Sequence, residues 1–117
     1  MLEQIYKHCR AKAGATEGFP FDENTLVFKV GGKMFVLISL EAHPLRINLK
    51  CDPERALELR ESHASVLPGY HMNKKHWNTV VLDESLPTRL VLELIDHSYA
   101  LVYQSLSRKQ KEEMSRS

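Results

Sequence analysis

Residues 25–41 read "TLVFKVGGKMFVLISLE", and the two glycines at the centre decide the fold. Two runs rich in β-branched and aromatic residues meet at Gly31-Gly32. A two-residue glycine link closes a tight hairpin, because glycine takes a positive φ without steric cost. The next run, "LRINLK" (45–50), alternates Leu45, Ile47 and Leu49 with Arg46, Asn48 and Lys50. One face is therefore buried and the other wet. His43-Pro44 marks the turn between them. Three sequential strands with short links make an antiparallel meander.

On either side the pattern changes to a helical period. Leu2, Ile5, Tyr6 and Cys9 form one apolar stripe of a short helix running to about Lys12, which Gly14 ends. The segment "AGATEGFPFDEN" (13–24) reads as a loop, with Phe19 and Phe21 as lids on the core. In "CDPERALELRESH" (51–63), Asp52 can cap, Pro53 suits the first helical position, and Glu54 favours the positive end of the dipole. "WNTVVLD" (77–83) is a further strand with neither face cleanly polar, as in a central position. Pro87 opens a last long helix to roughly Tyr103, with Val91, Leu94, Ile95, Ser98 and Val102 facing the core and Glu93, Asp96, His97 and Gln104 outside. The expected architecture is α+β: a two-layer sandwich, antiparallel sheet with helices packed on one face. Residues 1–106 form one domain, and 107–117 a polar C-terminal tail.

With 117 residues the chain can bury one core. Its longest unbroken apolar runs, such as Met34 to Ile38, fall far short of the ~20 residues that span a membrane. The charged N-terminus lacks the apolar stretch of a signal peptide, and two isolated cysteines, Cys9 and Cys51, suit a reducing compartment. The expected location is cytoplasmic.

The chemistry-bearing stretch is "PGYHMNKKHWNTVVLD" (68–83). His71 and His76 lie outside any HExxH or CxxC context, no elbow surrounds a serine, and "GGK" lacks the spacing of a phosphate loop. The reading is a non-enzymatic protein with no cofactor and no metal. No acid falls between Glu61 and Asp83, while Lys74 and Lys75 are adjacent cations. Lysines contact phosphates, Asn73, His71 and His76 supply polar readout, and Trp77 either stacks on a base or supports the site from beneath. Lys29, Lys33, Arg46 and Lys50, accompanied only by Glu41, add a second basic set if they share the open face of the sheet. A net charge of +1 makes any polyanion binding local and modest.

The stretches "FPFDENTLVFKVGGKMFVLISLE", "LRINLKCDPERALELRE", "PGYHMNKKHWNTVVLDESLP" and "LIDHSYALV" closely resemble the MmcQ/YjbR family of small bacterial proteins. The resemblance implies a CyaY-like fold, related in shape to frataxin. It also implies DNA binding through a "double wing", here the hairpin at Gly31-Gly32 and the segment around Lys74, Lys75, His76 and Trp77. Frataxin-type iron sites need an acidic ridge on the first helix, where this chain has only Glu3 against Lys7, Arg10 and Lys12. The partner expected is DNA. The competing reading is a protein-interaction or small anionic-ligand module, with Phe19, Phe21, Tyr70 and Trp77 lining a pocket and lysines at its mouth.

Overall fold

The computed structural model describes residues 1–115. Gly31 and Gly32 both adopt positive φ (57° and 80°) and join two strands, β2 (Thr25–Val30) and β3 (Lys33–Ser39). The meander continues into β4 (Arg46–Lys50), and β6 (Trp77–Val81) pairs beyond it. Two short edge strands complete the sheet, β1 (Ala15–Gly18) against β2 and β5 (Val66–Pro68) against β6. The order is β1-β2-β3-β4-β6-β5, antiparallel throughout. The helices are α1 (Leu2–Arg10), α2 (Pro53–Ser62), α3 (Thr88–Gln104) and α4 (Arg108–Ser115).

Cross-strand pairing sorts the side chains into two kinds of row. Glu17, Phe28, Val36, Leu49, Asn78 and Pro68 lie opposite one another across all six strands, on the side that the helices cover. The adjacent row, Gly18, Val27, Leu37, Asn48, Thr79 and Leu67, belongs to the other face. One slip interrupts this alternation. Lys29 pairs with Met34 while Phe28 pairs with Val36, so Phe35 is an extra residue in a β-bulge. Both Phe35 and Val36 are fully buried in the core. The Phe35 ring sits 5.2 Å from Tyr99 and 6.3 Å from Phe28. Ser98, wholly buried on α3, donates its hydroxyl to the Phe35 carbonyl (2.6 Å) and accepts the Lys50 N–H (2.9 Å). The long helix is thereby bonded to two strands as well as packed on them.

The apolar stripe of α3 is buried as expected, and the Asp52 carboxylate accepts the Arg55 N–H at the start of α2. His97 is less external than its position suggests: its Nε2 accepts the Asp52 N–H (3.1 Å), joining α3 to the cap of α2. Burial, and then the charge of Arg55, push its pKa below that of free histidine.

Two expectations need correction, the loop at 13–24 and its aromatic lids, and two further elements extend the reading. Residues 15–18 are an edge strand and not loop, and 66–68 form another; both are too short to carry a period of their own. Phe19 and Phe21 are not lids, being 50% and 63% exposed. The polar stretch after Leu106 is helical over Arg108–Ser115, and Gln110 donates to the Gly31 carbonyl (3.2 Å). The remainder of that expected tail, 116–117, lies outside the described residues.

A Cβ on Gly31 meets the buried Leu106 side chain at 2.6 Å, whereas one on Gly32 meets nothing within 4 Å, although both residues have positive φ. Gly31→Ala should therefore cost about 2–4 kcal/mol, combining backbone strain with overpacking. Gly32→Ala should cost about 1 kcal/mol, from the backbone alone. Urea denaturation separates the two, and equal losses would contradict the packing argument. Because His97 accepts through Nε2, its neutral form belongs to the folded state. The unfolded chain then binds more protons, so stability should fall as pH drops below about 6.5 and His97→Gln should flatten that part of the profile.

Candidate functional site

The segment between β5 and β6 is held by its backbone, leaving its cations free. The Asn73 side-chain oxygen accepts the N–H groups of Lys75 (2.9 Å) and His76 (3.3 Å), and its carbonyl accepts the Trp77 N–H (2.9 Å). This is a single turn capped by an asparagine. Arg60 on α2 clamps it from the helix side. Its Nε donates to the Asn78 side-chain oxygen (2.7 Å), and its guanidinium also donates to the carbonyls of Trp77 (3.2 Å) and Lys74. Lys74 and Lys75 project as exposed side chains from this fixed turn.

The first part of the same segment folds over the face of the sheet away from the helices. Thr79 Oγ1 accepts the Tyr70 N–H (2.9 Å) and donates to the Asn48 side-chain oxygen (2.5 Å). Asn48 in turn donates to the Tyr70 carbonyl (3.4 Å). His71, at φ 59°, places its ring 4.0 Å from that of Tyr70. Tyr70 itself is 64% exposed. On the opposite flank, the carboxylate of Asp22 accepts the N–H groups of Asn24 (2.8 Å) and Thr25 (2.7 Å) and fixes the loop that carries Phe21. The Asn24 N–H foremost holds the Asp22 pKa below the usual carboxylate value.

Between these loops lie two concavities that share Phe21 and Met34. One, of about 430 Å³, is floored by Leu37, Ser39 and Asn48 and walled by Phe21, Tyr70 and His71. The other, of about 400 Å³, includes Lys29, Lys50 and Trp77. Trp77 is half-buried opposite Lys50, so it stands at the edge of the site rather than in the core. His76 is partly covered, and its carbonyl accepts the Cys51 N–H (2.8 Å).

The predicted residues are thus not all brought together. Lys29, Arg46 and Lys50 share a face with Trp77, because the pairing places them on the same side of the sheet. Lys33 does not. It lies across from buried Val30 on the helix side of the bulge, and its ammonium donates to the Ser105 carbonyl and hydroxyl (3.3 Å each). In the Gly31-Gly32 turn, Gly31 packs against Leu106 and accepts from Gln110, while Gly32 is exposed with open space beside it. Asn73 spends its carbonyl oxygen on the turn, which leaves only its amide donors for a ligand.

Among the described residues, several cations on the helix side are paired with carboxylates, although Arg10 and Arg89 are not. Lys7, Lys12, Arg55 and Arg108 each pair with a carboxylate, at Glu3, Asp96, Glu93 and Glu112. Among the described residues, Lys29, Arg46, Lys50, Lys74 and Lys75 have no such pair. Both thiols are buried away from this face, burial raising Cys9 to about 12 and Cys51 above the ordinary value. Arg60 as the clamp was missed in the sequence, whereas Phe21 stands in a pocket wall with Tyr70 as the competing reading expected. Only Asp22, three residues before Thr25, offered a local signal for the turn that presents Phe21.

Arg60→Met should lower stability by about 1.5–3 kcal/mol, since a charged donor to three acceptors is lost. Arg60→Lys should not restore it, because one ammonium cannot reproduce the planar fork. Hydrogen exchange at His76 and Trp77 should accelerate in both variants. Unchanged protection would show that the turn holds itself.

Comparison with known proteins agrees with the fold and with these motifs. The family model described as YjbR matches residues 10–101. YbdF of Escherichia coli O157:H7 is 44% identical over 92 residues, covering 78% of this chain and 75% of that protein. YyaQ of Bacillus subtilis strain 168 is 33% identical over 113 residues, covering 85% and 95%. A crystal structure of a Deinococcus radiodurans protein superposes with a TM-score of 0.93 at 42% identity, over 98% of this chain and 88% of that one. The matched span runs from the end of α1 through nearly all of α3 and takes in the whole sheet, Arg60 and the lysine turn, so the chain belongs to the YjbR family.

Proposed function

We propose that this chain is a non-enzymatic, cytoplasmic nucleic-acid-binding domain that uses the helix-free face of its sheet together with the Lys74-Lys75 turn. The observation that carries the reading is a set of cations without carboxylate partners among the described residues: Lys29 and Lys50 beside Phe21 and Trp77 in one concavity, Arg46 on the same face, and Lys74 and Lys75 on the turn that leads into Trp77. A lysine held by a carboxylate has part of its charge spent, whereas an unpaired one releases counterions when it meets a phosphate. Lys74 and Lys75 supply phosphate contacts, with Lys29 and Lys50 extending the track along the strand ends. Asn73, through its amide donors, and His71 and His76 are placed for polar contacts. Trp77 supports the track beside Lys50. Lys33 lines the same concavity as Lys29 and Lys50, with its ammonium held by Ser105.

A small anionic ligand is the second reading, favoured by the 400 Å³ concavity, which is lined by Lys29, Lys33 and Lys50 and falls in the ordinary range for ligand pockets. Fluorescence anisotropy of labelled DNA at about 50 and 200 mM salt distinguishes them, since phosphate-driven binding weakens steeply over that range. The double variant Lys74→Ala/Lys75→Ala should weaken binding to all sequences alike and reduce the slope of log affinity against log salt by about 1.5–2. A slope unchanged in that variant would remove the turn from the interface. A thermal shift with anionic metabolites, without DNA binding at the lower salt, would favour the second reading.

A further inference from the structure

We infer that the strand taken is single, with one unpaired base held between Phe21 and the Tyr70–His71 ring pair and its flanking phosphates on Lys29, Lys50, Lys74 and Lys75. This deepens the nucleic-acid reading above and rests on it.

Phe21 and Tyr70 come from separate loops, are 63% and 64% exposed, and wall the same 430 Å³ slot. Two large rings left in water on one face cost hydration free energy that a stacked partner recovers. Phe21 is presented by the Asp22 turn, and Tyr70 by the Thr79–Asn48 bonds, so neither ring is a fraying side chain of a loose loop. The slot suits a flat ring with polar edges. Its floor carries Leu37 and Met34 beside Asn48 and Ser39, and the Asn48 amide makes only one long bond, 3.4 Å, to the Tyr70 carbonyl.

Charge orients the occupant. The carboxylate lining the slot is Asp22, kept ionised by its N–H donors, so a phosphate is disfavoured there while an exocyclic amino group is not. Cations lie beyond Phe21 and Met34, in the adjoining concavity that holds Lys29, Lys33 and Lys50. A base at the Asp22 end with phosphates at the lysine end satisfies both.

A duplex cannot use this geometry. Its bases are stacked within the helix and show only their edges in the grooves, so rings on a slot wall have no base face to meet. The β2–β3 hairpin tip is tied down on its Gly31 side by Leu106 and Gln110, which limits how far it can enter a groove.

The test titrates the full-length chain, at about 50 mM salt, with a labelled deoxythymidine oligonucleotide of about ten residues, a mixed-sequence single strand, the matching duplex and a mononucleotide. Single strands should bind about tenfold or more tighter than the duplex. Phe21→Ala/Tyr70→Ala should weaken single-strand binding by about 10- to 100-fold, as stacking losses do, with the salt slope kept. Duplex binding should not move, and circular dichroism confirms that the variant is folded. Duplex binding as tight as single-strand binding, or an aromatic variant that binds single strands like the parent, would overturn the inference and leave the phosphate-contacting surface standing. A mononucleotide that binds as well as the oligonucleotide would also overturn it, in favour of a small ligand. Failure of every nucleic acid to bind would bring down the underlying reading as well.

Discussion

The extra residue at Phe35 is the constraint on which the rest of the structure depends. Strand side chains alternate strictly, so a one-residue slip reverses every side chain beyond it. Residues 37 and 39 face away from the helices, and without the slip 35 and 33 would do the same. The bulge instead turns Phe35 into the core, where it packs on Phe28 and Tyr99, and carries Lys33 to the helix side. A bulge leaves strand groups in need of partners, and Ser98 supplies one by donating to the Phe35 carbonyl. A serine in the middle of an apolar helix stripe is thus explained: its hydroxyl serves two strands that the ladder does not fully satisfy.

Arg60 couples this core to the surface. It leaves α2, which packs on the helix side, and bonds to the segment from Lys74 to Asn78 that reaches the opposite face. The two sides of the sheet are thus mechanically joined at the start of β6. A turn held by a guanidinium and an asparagine cap presents its lysines in one arrangement. Little ordering entropy is then left to be lost when a ligand arrives. The Asn78 amide nitrogen is buried without a hydrogen-bond partner, which shows how strongly the Arg60 bond dictates the orientation of that side chain.

With a net charge of +1 the protein has no strong overall field to draw a polyanion from a distance. Screening at physiological salt limits exposed charges to about 8 Å in any case. What matters is local: ion pairs occupy several of the cations of the helix layer, and those around Trp77 are left for a ligand. The same face carries Phe19, Phe21, Leu67 and Tyr70 among its exposed large apolar side chains. Cations and open rings together distinguish this face from an ordinary solvated sheet surface.

The hairpin, the meander, the capped second helix, the long third helix and the location of the lysine turn can all be read from the residue pattern. Each rests on a local rule, whether glycine backbone freedom, a period of two or 3.6, or a capping side chain, and local rules survive transfer from chain to structure. The same pattern also carries the family resemblance. The two edge strands were illegible, since three or four residues have no period of their own and pair only because a neighbour is already in place. That Lys33 leaves the sheet face of Lys29 was illegible because nothing local announces a bulge; it forms where the packing of Phe35 outweighs a regular ladder. Phe19 and Phe21 were read as core because aromatic rings usually are, and only the tertiary structure shows that α3 already fills that space from the other side. Arg60 lies 14 to 18 residues from its acceptors, a separation at which a hydrogen bond leaves no trace in the pattern of residues. Tertiary packing therefore decided which cations face one another and which rings remain in water, because both depend on the register of distant strands.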